Sequence, residues 1–308
     1  MARRRKGRPI NGWLNLDKPA GCTSTELVAR VKGLLGAAKA GHAGTLDPIA
    51  TGILPIALGE ATKTVQYLME GLKVYRFTVR WGEARATDDC EGEVTATSPA
   101  RPDMAAIEAV LPEFVGEIQQ VPPKYSAIKI DGRRAYDLAR AEEPVELAPR
   151  KVWIERLQPV ASPDRDHTDF EVTCGKGAYM RALARDMALA LGTFGHLAAL
   201  RRCAVGPFHE DQAITLDNLE ALVHSAECQL PLLPVETALD DMPALPLTGP
   251  EATRLRSGQA VSLLRRSQLG RIADLCDGMV LCAMTDGRVV AITRYEAGEI
   301  RPLRVLNL

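Results

Sequence analysis

The chain has 308 residues, with 38 lysines and arginines against 39 aspartates and glutamates. This length allows about two domains and a sizeable hydrophobic core. The net charge of −1 does not indicate a nucleic-acid partner, so any binding of phosphates has to come from local basic clusters.

The cysteines and the N-terminal sequence indicate in which cellular compartment the protein works. Seven cysteines, an odd number without a CxxC pair, argue against a disulfide framework and against a zinc site. Residues 1–9 form a basic tail, which we expect to be solvated, and no apolar stretch has the length of a signal-peptide core or a membrane span. We therefore expect a cytoplasmic protein.

The first predicted elements are a strand and an amphipathic helix. Gly12 to Leu16 is predicted as a short strand. Thr23 and Glu26 have the spacing of a capping box, and Gly36 is the expected end of the helix that follows. Further on, residues 53–58 are an apolar segment that fits either a helix or a strand.

The run from Gly41 to Lys63 begins with a loop rich in glycine, which carries Gly41, Gly44 and Gly52. Pro48 fixes its own φ and restricts Asp47, while His42 lies five residues before that carboxylate. Such a loop suits an acid that must be held still against a substrate. An Asx-turn that only starts an element is the alternative for an isolated Asp-Pro pair.

The middle of the chain alternates strands with loops. Residues 75–81 alternate apolar and polar side chains and predict a half-buried strand. The acidic segment 88–93 is predicted to be an exposed turn rather than a metal site, because no further ligand completes it. Met104, Ile107, Val110 and Leu111 predict a helix.

Residues 121–151 read as an insertion with its own hairpin. Ser126 to Ile130 is one predicted arm, Asp131-Gly132 the turn, and residues 133–140 a helical segment. Basic residues interleaved with Tyr125 and Tyr136 fit a flap that holds RNA phosphates and stacks on bases. A packed surface hairpin is the alternative.

The second half begins with a strand through Phe170 and Cys174 that ends at Gly175, followed by a helix from Met180 to about Leu191. Residues 200–206 predict a short basic strand. A proline-spaced segment, 231–250, is a predicted linker. Two strands at 279–284 and 288–293, joined by an Asp286-Gly287 turn, are expected near the C-terminus.

Three of these segments together resemble the motifs of the TruB family, the tRNA pseudouridine synthases that act on uridine 55 of the T loop. They are Gly41 to Lys63, Gly175 to Arg181, and Leu200 to Gly206. A looser match, Arg254 to Gln259, resembles the opening of a PUA-like RNA-binding domain. The resemblance implies an isomerase that uses no metal, nucleotide or redox cofactor.

The resemblance also assigns roles to single residues. Asp47 would be the nucleophile, Arg181 its charge partner, expected to lower the pKa of Asp47, and Tyr75 the base-stacking and proton-transfer residue. His42 would occupy the space left by the flipped uridine. The remaining substrate contacts would be Tyr179, Leu200 and Lys18, and the RNA-binding residues Lys129, Arg133, Arg134, Arg201 and Arg202.

The implied fold is α+β: a central mixed, mostly antiparallel sheet flanked by helices. Residues 10–235 would form the catalytic domain, with the insertion at about 121–151 as a thumb that closes over the T loop. Residues 245–308 would form a small β-rich PUA-like domain. We expect a monomer that binds the T arm of tRNA without a membrane or a guide RNA.

Two alternatives remain open. One is a catalytic subunit guided by a separate RNA, which the thumb-like insertion disfavours, because that segment would itself recognise the T loop. The other is a non-catalytic tRNA-binding or tRNA-folding protein on the same scaffold. The combination of Asp47, Tyr75 and Arg181 disfavours it, because simple binding does not need this set.

Overall fold

The computed structural model of the protein describes residues 7–126, 129–130, 133–134, 136, 141, 147–225, 229–263 and 275–308. None of the helices in these ranges is long and apolar enough to cross a membrane. The α-helices described are α1 (Ser24–Leu35), α2 (Val65–Glu70), α3 (Met104–Val110), α4 (Met180–Ala190), α5 (Leu216–Val223) and α6 (Gly249–Arg256). The 3-10 helices are Gly59–Lys63, Leu111–Phe114, Glu210–Gln212 and Val235–Leu239.

The strands fall into two groups along the chain. The first half holds β1 (Gly12–Lys18), β2 (Ala40–His42), β3 (Thr51–Leu58), β4 (Lys73–Trp81), β5 (Glu83–Arg85), β6 (Val94–Thr97), β7 (Gly116–Gln120), β8 (Lys129–Ile130) and β9 (Arg133–Arg134). The second half holds β10 (Arg150–Asp164), β11 (His167–Cys174), β12 (Gly195–Val205), β13 (Phe208–His209), β14 (Ile214–Thr215), β15 (Leu232–Leu233), β16 (Ala244–Pro246), β17 (Val261–Ser262), β18 (Val280–Thr285), β19 (Arg288–Glu296) and β20 (Glu299–Val305).

A large mixed sheet forms the centre of the protein. Its main path runs β14-β1-β3-β12-β4-β11-β10-β7, and β2, β13 and β15 pair at its sides. Within this sheet, only the β1–β14 and β3–β12 pairs are parallel among the strands described. The predicted fold class, a mixed and mostly antiparallel sheet with flanking helices, is confirmed.

Helix α1 forms as its sequence predicts. The Thr23 hydroxyl accepts from the Glu26 backbone N–H while the Glu26 carboxylate accepts from the Thr23 N–H, which completes the capping box. Gly36 ends the helix in the left-handed conformation, with φ 60°. Leu27 and Val31, four residues apart, are buried against the sheet.

Two apolar layers cover the central sheet. One packs α1 and α5 against β1 and β3, and the other packs α4 and α3 against β4, β11 and β10. The apolar segment 53–58, which fitted a helix or a strand, is the strand β3, paired with β1 at all seven β1 positions. Burial on both faces explains its nearly continuous apolar sequence.

The C-terminal strands form a five-stranded sheet, β16-β18-β19-β20-β17, with α6 beside it. The strands expected at 279–284 and 288–293 are confirmed as β18 and β19, with Asp286 and Gly287 both at positive φ in the turn. The proline-spaced segment is a packed connection rather than a free linker. Its Val235 and Leu239 are buried in a core shared with Trp13, Phe208 and Ile292.

Candidate active site

The loop that carries Asp47 lies between β2 and β3, and Lys18 of β1 forms hydrogen bonds to its backbone. The buried Lys18 ammonium donates to the carbonyl oxygens of Pro19 (3.0 Å), Pro48 (3.3 Å) and Ala50 (2.7 Å). An ammonium has three N–H donors, and all three are used. Lys18, predicted as a substrate contact, therefore fixes the loop backbone immediately after Asp47.

Two more side chains fix this loop. The Ser24 hydroxyl donates to the Leu46 carbonyl (3.1 Å) and accepts from the Leu46 N–H (2.9 Å). The Arg202 guanidinium donates to the carbonyls of Gly44 (3.0 Å) and Ile53 (2.7 Å). Asp47 is thus held on a loop whose backbone is bonded to three separate elements.

Gly52 makes the approach of β3 to β12 possible. Its φ is +101°, and a Cβ atom there would lie 2.2 Å from the Arg202 carbonyl oxygen. Any side chain would push the two strands apart at the point where the Asp47 loop ends. Gly52 therefore permits close backbone packing where the Asp47 loop ends.

The Asp47 carboxylate forms a two-point ion pair with Arg181. Arg181 Nε lies 3.0 Å from Asp47 Oδ2, and Nη2 lies 3.2 Å from Oδ1. Arg181 projects from the first turn of α4 and its side chain is only 6% exposed, whereas that of Asp47 is 34% exposed. This geometry fixes both carboxylate oxygens and leaves one face of the acid open to a ligand.

Asp89 is a second carboxylate at the same guanidinium. Its Oδ2 lies 3.6 Å from Arg181 Nη1, and its side chain is 5% exposed. Its neighbour Asp88 pairs with Arg185 at 2.8 Å. The prediction that residues 88–93 form an exposed turn is wrong at these two aspartates, because two arginines of α4 draw them into the protein.

The pKa of Asp47 lies above the ordinary aspartate value. Burial is the largest cause, Arg181 opposes it, and the nearby Asp89 raises the pKa further. Arg181 lowers the pKa of Asp47, as expected, and the net shift is nevertheless upward, because desolvation outweighs the ion pair.

A cavity of about 830 Å³ opens beside Asp47. Tyr75, Leu200 and Tyr179, all predicted as pocket residues, line it together with Asp47 and Arg181. Burial raises the pKa of the Tyr75 phenol, which is therefore neutral at pH 7. Tyr75 on β4 is paired with Arg202 on β12. The strand register therefore places the Tyr75 ring beside the arginine that holds the Asp47 loop.

Tyr179 is positioned by its backbone. The Gln120 side chain accepts from the Tyr179 N–H (2.8 Å) and donates to its carbonyl (3.1 Å). Tyr179 immediately precedes α4, so this contact also fixes the start of the helix that carries Arg181. Gln120 is the last residue of β7, and no sequence motif had drawn attention to it.

His42 lies on β2, half-buried and outside the residues that line the cavity. Burial and the positive charge of Arg202 lower the pKa of its imidazole, so the ring is neutral at pH 7. Its role as a wedge remains a prediction.

The predicted RNA-binding arginines occupy different environments. Arg202 is buried and its guanidinium donates to backbone carbonyls. The prediction that it binds RNA at the surface is therefore corrected, because this side chain holds the Asp47 loop in place. Arg201 is one-third exposed but pairs with Asp17 and Glu210. Arg133 is exposed on the short hairpin of β8 and β9, while the side chains of Lys129 and Arg134 lie outside the described residues.

Lys73 is a cavity residue that sequence reasoning missed. It is buried two residues before Tyr75 and donates to the carbonyls of Met69 and Gly71 (2.5 Å to the second). Burial lowers its pKa to about 8. A lysine two residues before a pocket tyrosine, on the same face of one strand, is the signal that could have found it.

Comparisons with known proteins identify the family of the chain. Residues 32–180 match the TruB family pseudouridylate synthase N-terminal domain, and residues 181–240 match the tRNA pseudouridylate synthase B C-terminal domain. Similar curated proteins include tRNA pseudouridine synthase B of Rhodospirillum rubrum, 56% identical over the whole of both chains. The protein of that name from Bradyrhizobium diazoefficiens is 59% identical over 99% of this chain and 88% of its own.

Solved structures share the fold. A Cbf5-Nop10-Gar1 complex matches with a TM-score of 0.76 at 26% identity, covering 99% of this chain and 91% of the other. An H/ACA RNP bound to a substrate RNA containing 2′-deoxyuridine matches with a TM-score of 0.75 at 24% identity, covering 100% and 92%. The motifs, the fold and the full-length relatives lead to one conclusion: the chain belongs to the TruB family of pseudouridylate synthases.

Proposed function

We propose that this protein converts uridine to pseudouridine at position 55 in the T loop of tRNA, acting alone and without a cofactor. The observation that carries the proposal is the Asp47 carboxylate, held at two points by Arg181 in one cavity with Tyr75 and Leu200. The relatives named tRNA pseudouridine synthase B, similar along the whole chain, support tRNA as the substrate.

The reaction breaks the bond between ribose C1′ and base N1, turns the base, and joins C5 to the ribose. Attack of Asp47 at C1′, its addition at base C6, and a glycal route in which it takes the C2′ proton all require an ionised carboxylate. Arg181 favours that charged form and orients both oxygens. Asp47 is therefore the group that reacts with the substrate, and Arg181 keeps its carboxylate ionised and oriented.

The cavity suits a single extruded nucleotide. Its volume of about 830 Å³ lies in the range of small-ligand sites. Tyr75 and Leu200 give it apolar walls that would hold the released uracil, and the neutral Tyr75 phenol can exchange a proton near C5. Bringing a stacked uridine into such a site costs a few kcal/mol of unstacking, and we assign His42 to the space it leaves.

We also propose that the protein is a cytoplasmic monomer. All six cysteines that the structure describes are free thiols, and the three in the catalytic and C-terminal cores, Cys174, Cys203 and Cys282, are buried. Free buried thiols fit a reducing compartment.

The test is to incubate purified protein with an unmodified tRNA transcript, without any added RNA, and to map pseudouridine along the product. We expect one modified position, the T-loop uridine, and no modification in a transcript whose uridine 55 is replaced by cytidine. A requirement for an added guide RNA would favour the guided alternative. Tight tRNA binding with no pseudouridine would favour the binding protein.

A further inference from the structure

Trp153 is an exposed tryptophan beside the catalytic cavity. The chain has three tryptophans. Trp13 and Trp81 are fully buried, whereas Trp153 on β10 is 51% exposed. Tryptophan is highly buried on average, and a contiguous exposed patch of large apolar side chains is characteristic of a binding surface.

The strand register extends this exposed surface across three strands. Cys174 is paired with Lys73 on one side and Ile154 on the other. One residue further along, the Gly175 N–H donates to the Trp153 carbonyl at 2.8 Å, and continuation of the β4–β11 register places Leu72 on the other side of Gly175. Leu72 is 41% exposed. We call these three residues, Leu72, Gly175 and Trp153, the apolar strip.

Gly175 keeps the strip open and connects it to the cavity. It has no side chain, so the surface between Leu72 and the indole is free of a bulky group. Gly175 and the next two residues, Lys176 and Gly177, also line the cavity that holds Asp47. The apolar strip therefore starts at the rim of the catalytic cavity and leads away from it.

Two lysines flank the strip, and each forms a solvent-exposed ion pair with a glutamate. Lys151 lies 2.7 Å from Glu117, and Lys176 lies 2.5 Å from Glu70; all four side chains are more than half exposed. Exposed ion pairs contribute little to stability, so each ammonium can exchange its carboxylate for a phosphate. Apolar surface between exchangeable cations complements a nucleic-acid strand.

We propose that the apolar strip binds a segment of the tRNA outside the flipped uridine, with the Trp153 ring against a base or ribose and Lys151 and Lys176 on phosphates. This inference rests on the proposed function, because it names how that same substrate is held beyond the reacting nucleotide. It gives Trp153 a part in affinity and none in the chemical step.

Tryptophan fluorescence tests the contact directly. Because Trp13 and Trp81 are buried, quenching by acrylamide at low concentration reports chiefly on Trp153. We expect saturating tRNA to protect this emission from acrylamide, and Trp153→Phe to abolish the tRNA-dependent change. Unchanged quenching at tRNA concentrations that saturate turnover would overturn the proposal.

Steady-state kinetics separate affinity from chemistry. We expect Trp153→Ala to raise KM roughly tenfold, the loss of one stacking contact, with kcat within about twofold of the wild type. Trp153→Phe keeps an aromatic ring and should retain most of the affinity. The matched control is Leu189→Ala, an equally exposed apolar side chain on α4, which should leave both constants unchanged.

The outcomes distinguish the proposals. An unchanged KM in Trp153→Ala would reject the strip as a tRNA contact. Sedimentation that shows a Trp153-dependent dimer, with KM unaffected, would make it a contact between two copies of the chain and would also reject it. A wild-type protein that forms no pseudouridine on any tRNA would instead reject the proposed function.

Discussion

Asp47 owes its position to side chains from distant parts of the sequence. Lys18 bonds the backbone just after the acid, at Pro48 and Ala50, and Ser24 bonds the residue before it. Arg202 bonds the carbonyls of Gly44 and Ile53, near the two ends of the loop. Arg181 then fixes the carboxylate itself. A reacting group held this way loses little freedom when a substrate arrives, which is how a folded site lowers the entropy cost of a reaction.

The charge of Arg181 should be visible in the pH dependence of the reaction. Burial places the pKa of Asp47 above its ordinary value, and Arg181 counteracts this. Activity should therefore fall as the pH drops through the pKa of Asp47. In Arg181→Met the opposing charge is gone, so the acidic limb of kcat/KM should move to higher pH, and the plateau should fall roughly a hundredfold from misplacement of the nucleophile.

Arg181→Lys is the matched control, because it keeps the charge and loses the two-point geometry. Its acidic limb should stay nearer to that of the wild type while its plateau falls. An acidic limb in Arg181→Met at the wild-type pH would contradict the assigned charge partnership. Thermal unfolding of each variant checks that the fold is intact.

Much of the site could be predicted residue by residue, and part of it could not. The motif resemblance predicts that Asp47, Tyr75 and Arg181 lie together, and all three line one cavity. Asp89 and Arg202 were misjudged, because a charged residue in a sequence looks exposed until its partner is known. Burial of an aspartate or an arginine is decided by partners from other elements.

At the scale of elements, sequence signals were strongest where a helix has a defined start and end. The capping box and the left-handed glycine defined α1, and alternation defined β4 and β11. The long strand β10 was not predicted. Register shifts occur along its pairing with β11, so its sequence does not alternate regularly.

The thumb-like insertion gives the element-scale prediction. The turn at 131–132 of the short hairpin lies outside the described residues. The prediction that a helical segment begins at Arg133 is wrong, because Arg133 and Arg134 pair with β8 as the strand β9; beyond them, only residue 136 of the predicted segment 133–140 is described. If its basic residues bind phosphates, Arg133→Gln with Arg134→Gln should weaken tRNA binding. The slope of log K against log salt should fall by roughly 1 to 2, because each phosphate contact contributes about 0.7 to 0.9.

The control for this measurement is Arg30→Gln with Lys32→Gln on α1. This pair also removes two positive charges, from a helix none of whose residues line the cavity. An unchanged slope in the hairpin variant, or an equal drop in the control, would argue against a phosphate-binding thumb.

At the scale of the whole molecule, the catalytic and C-terminal parts share a core. Trp13 and Phe208 from the central sheet pack in one cluster with Ile292 and Leu306 from the C-terminal sheet. The Lys63 ammonium donates to the Val305 carbonyl at 2.7 Å across the same boundary. The division into domains 10–235 and 245–308 remains a prediction. The shared core and this hydrogen bond hold the two parts against each other.

This coupling was beyond the reach of sequence patterns. A proline-spaced stretch between two sets of strands is typical of a linker, and local composition does not report what the stretch packs against. The apolar residues Val235 and Leu239 are buried because they pack in one cluster with residues of both sheets. Long-range packing of this kind is determined by the assembled fold.

The central claim is that Asp47 performs the chemistry while the rest of the protein holds the RNA. The most direct measurement is single-turnover pseudouridine formation on a tRNA transcript by Asp47→Asn, with tRNA binding measured in parallel. Asp186→Asn is the control, since it neutralises a carboxylate that pairs with Arg185 outside the cavity lining.

We expect Asp47→Asn to form no detectable pseudouridine and to bind tRNA within a fewfold of the wild type, because asparagine keeps the shape of the side chain and cannot act as the nucleophile. Asp186→Asn should remain active. Pseudouridine formed by Asp47→Asn at a rate near that of the wild type would contradict the account.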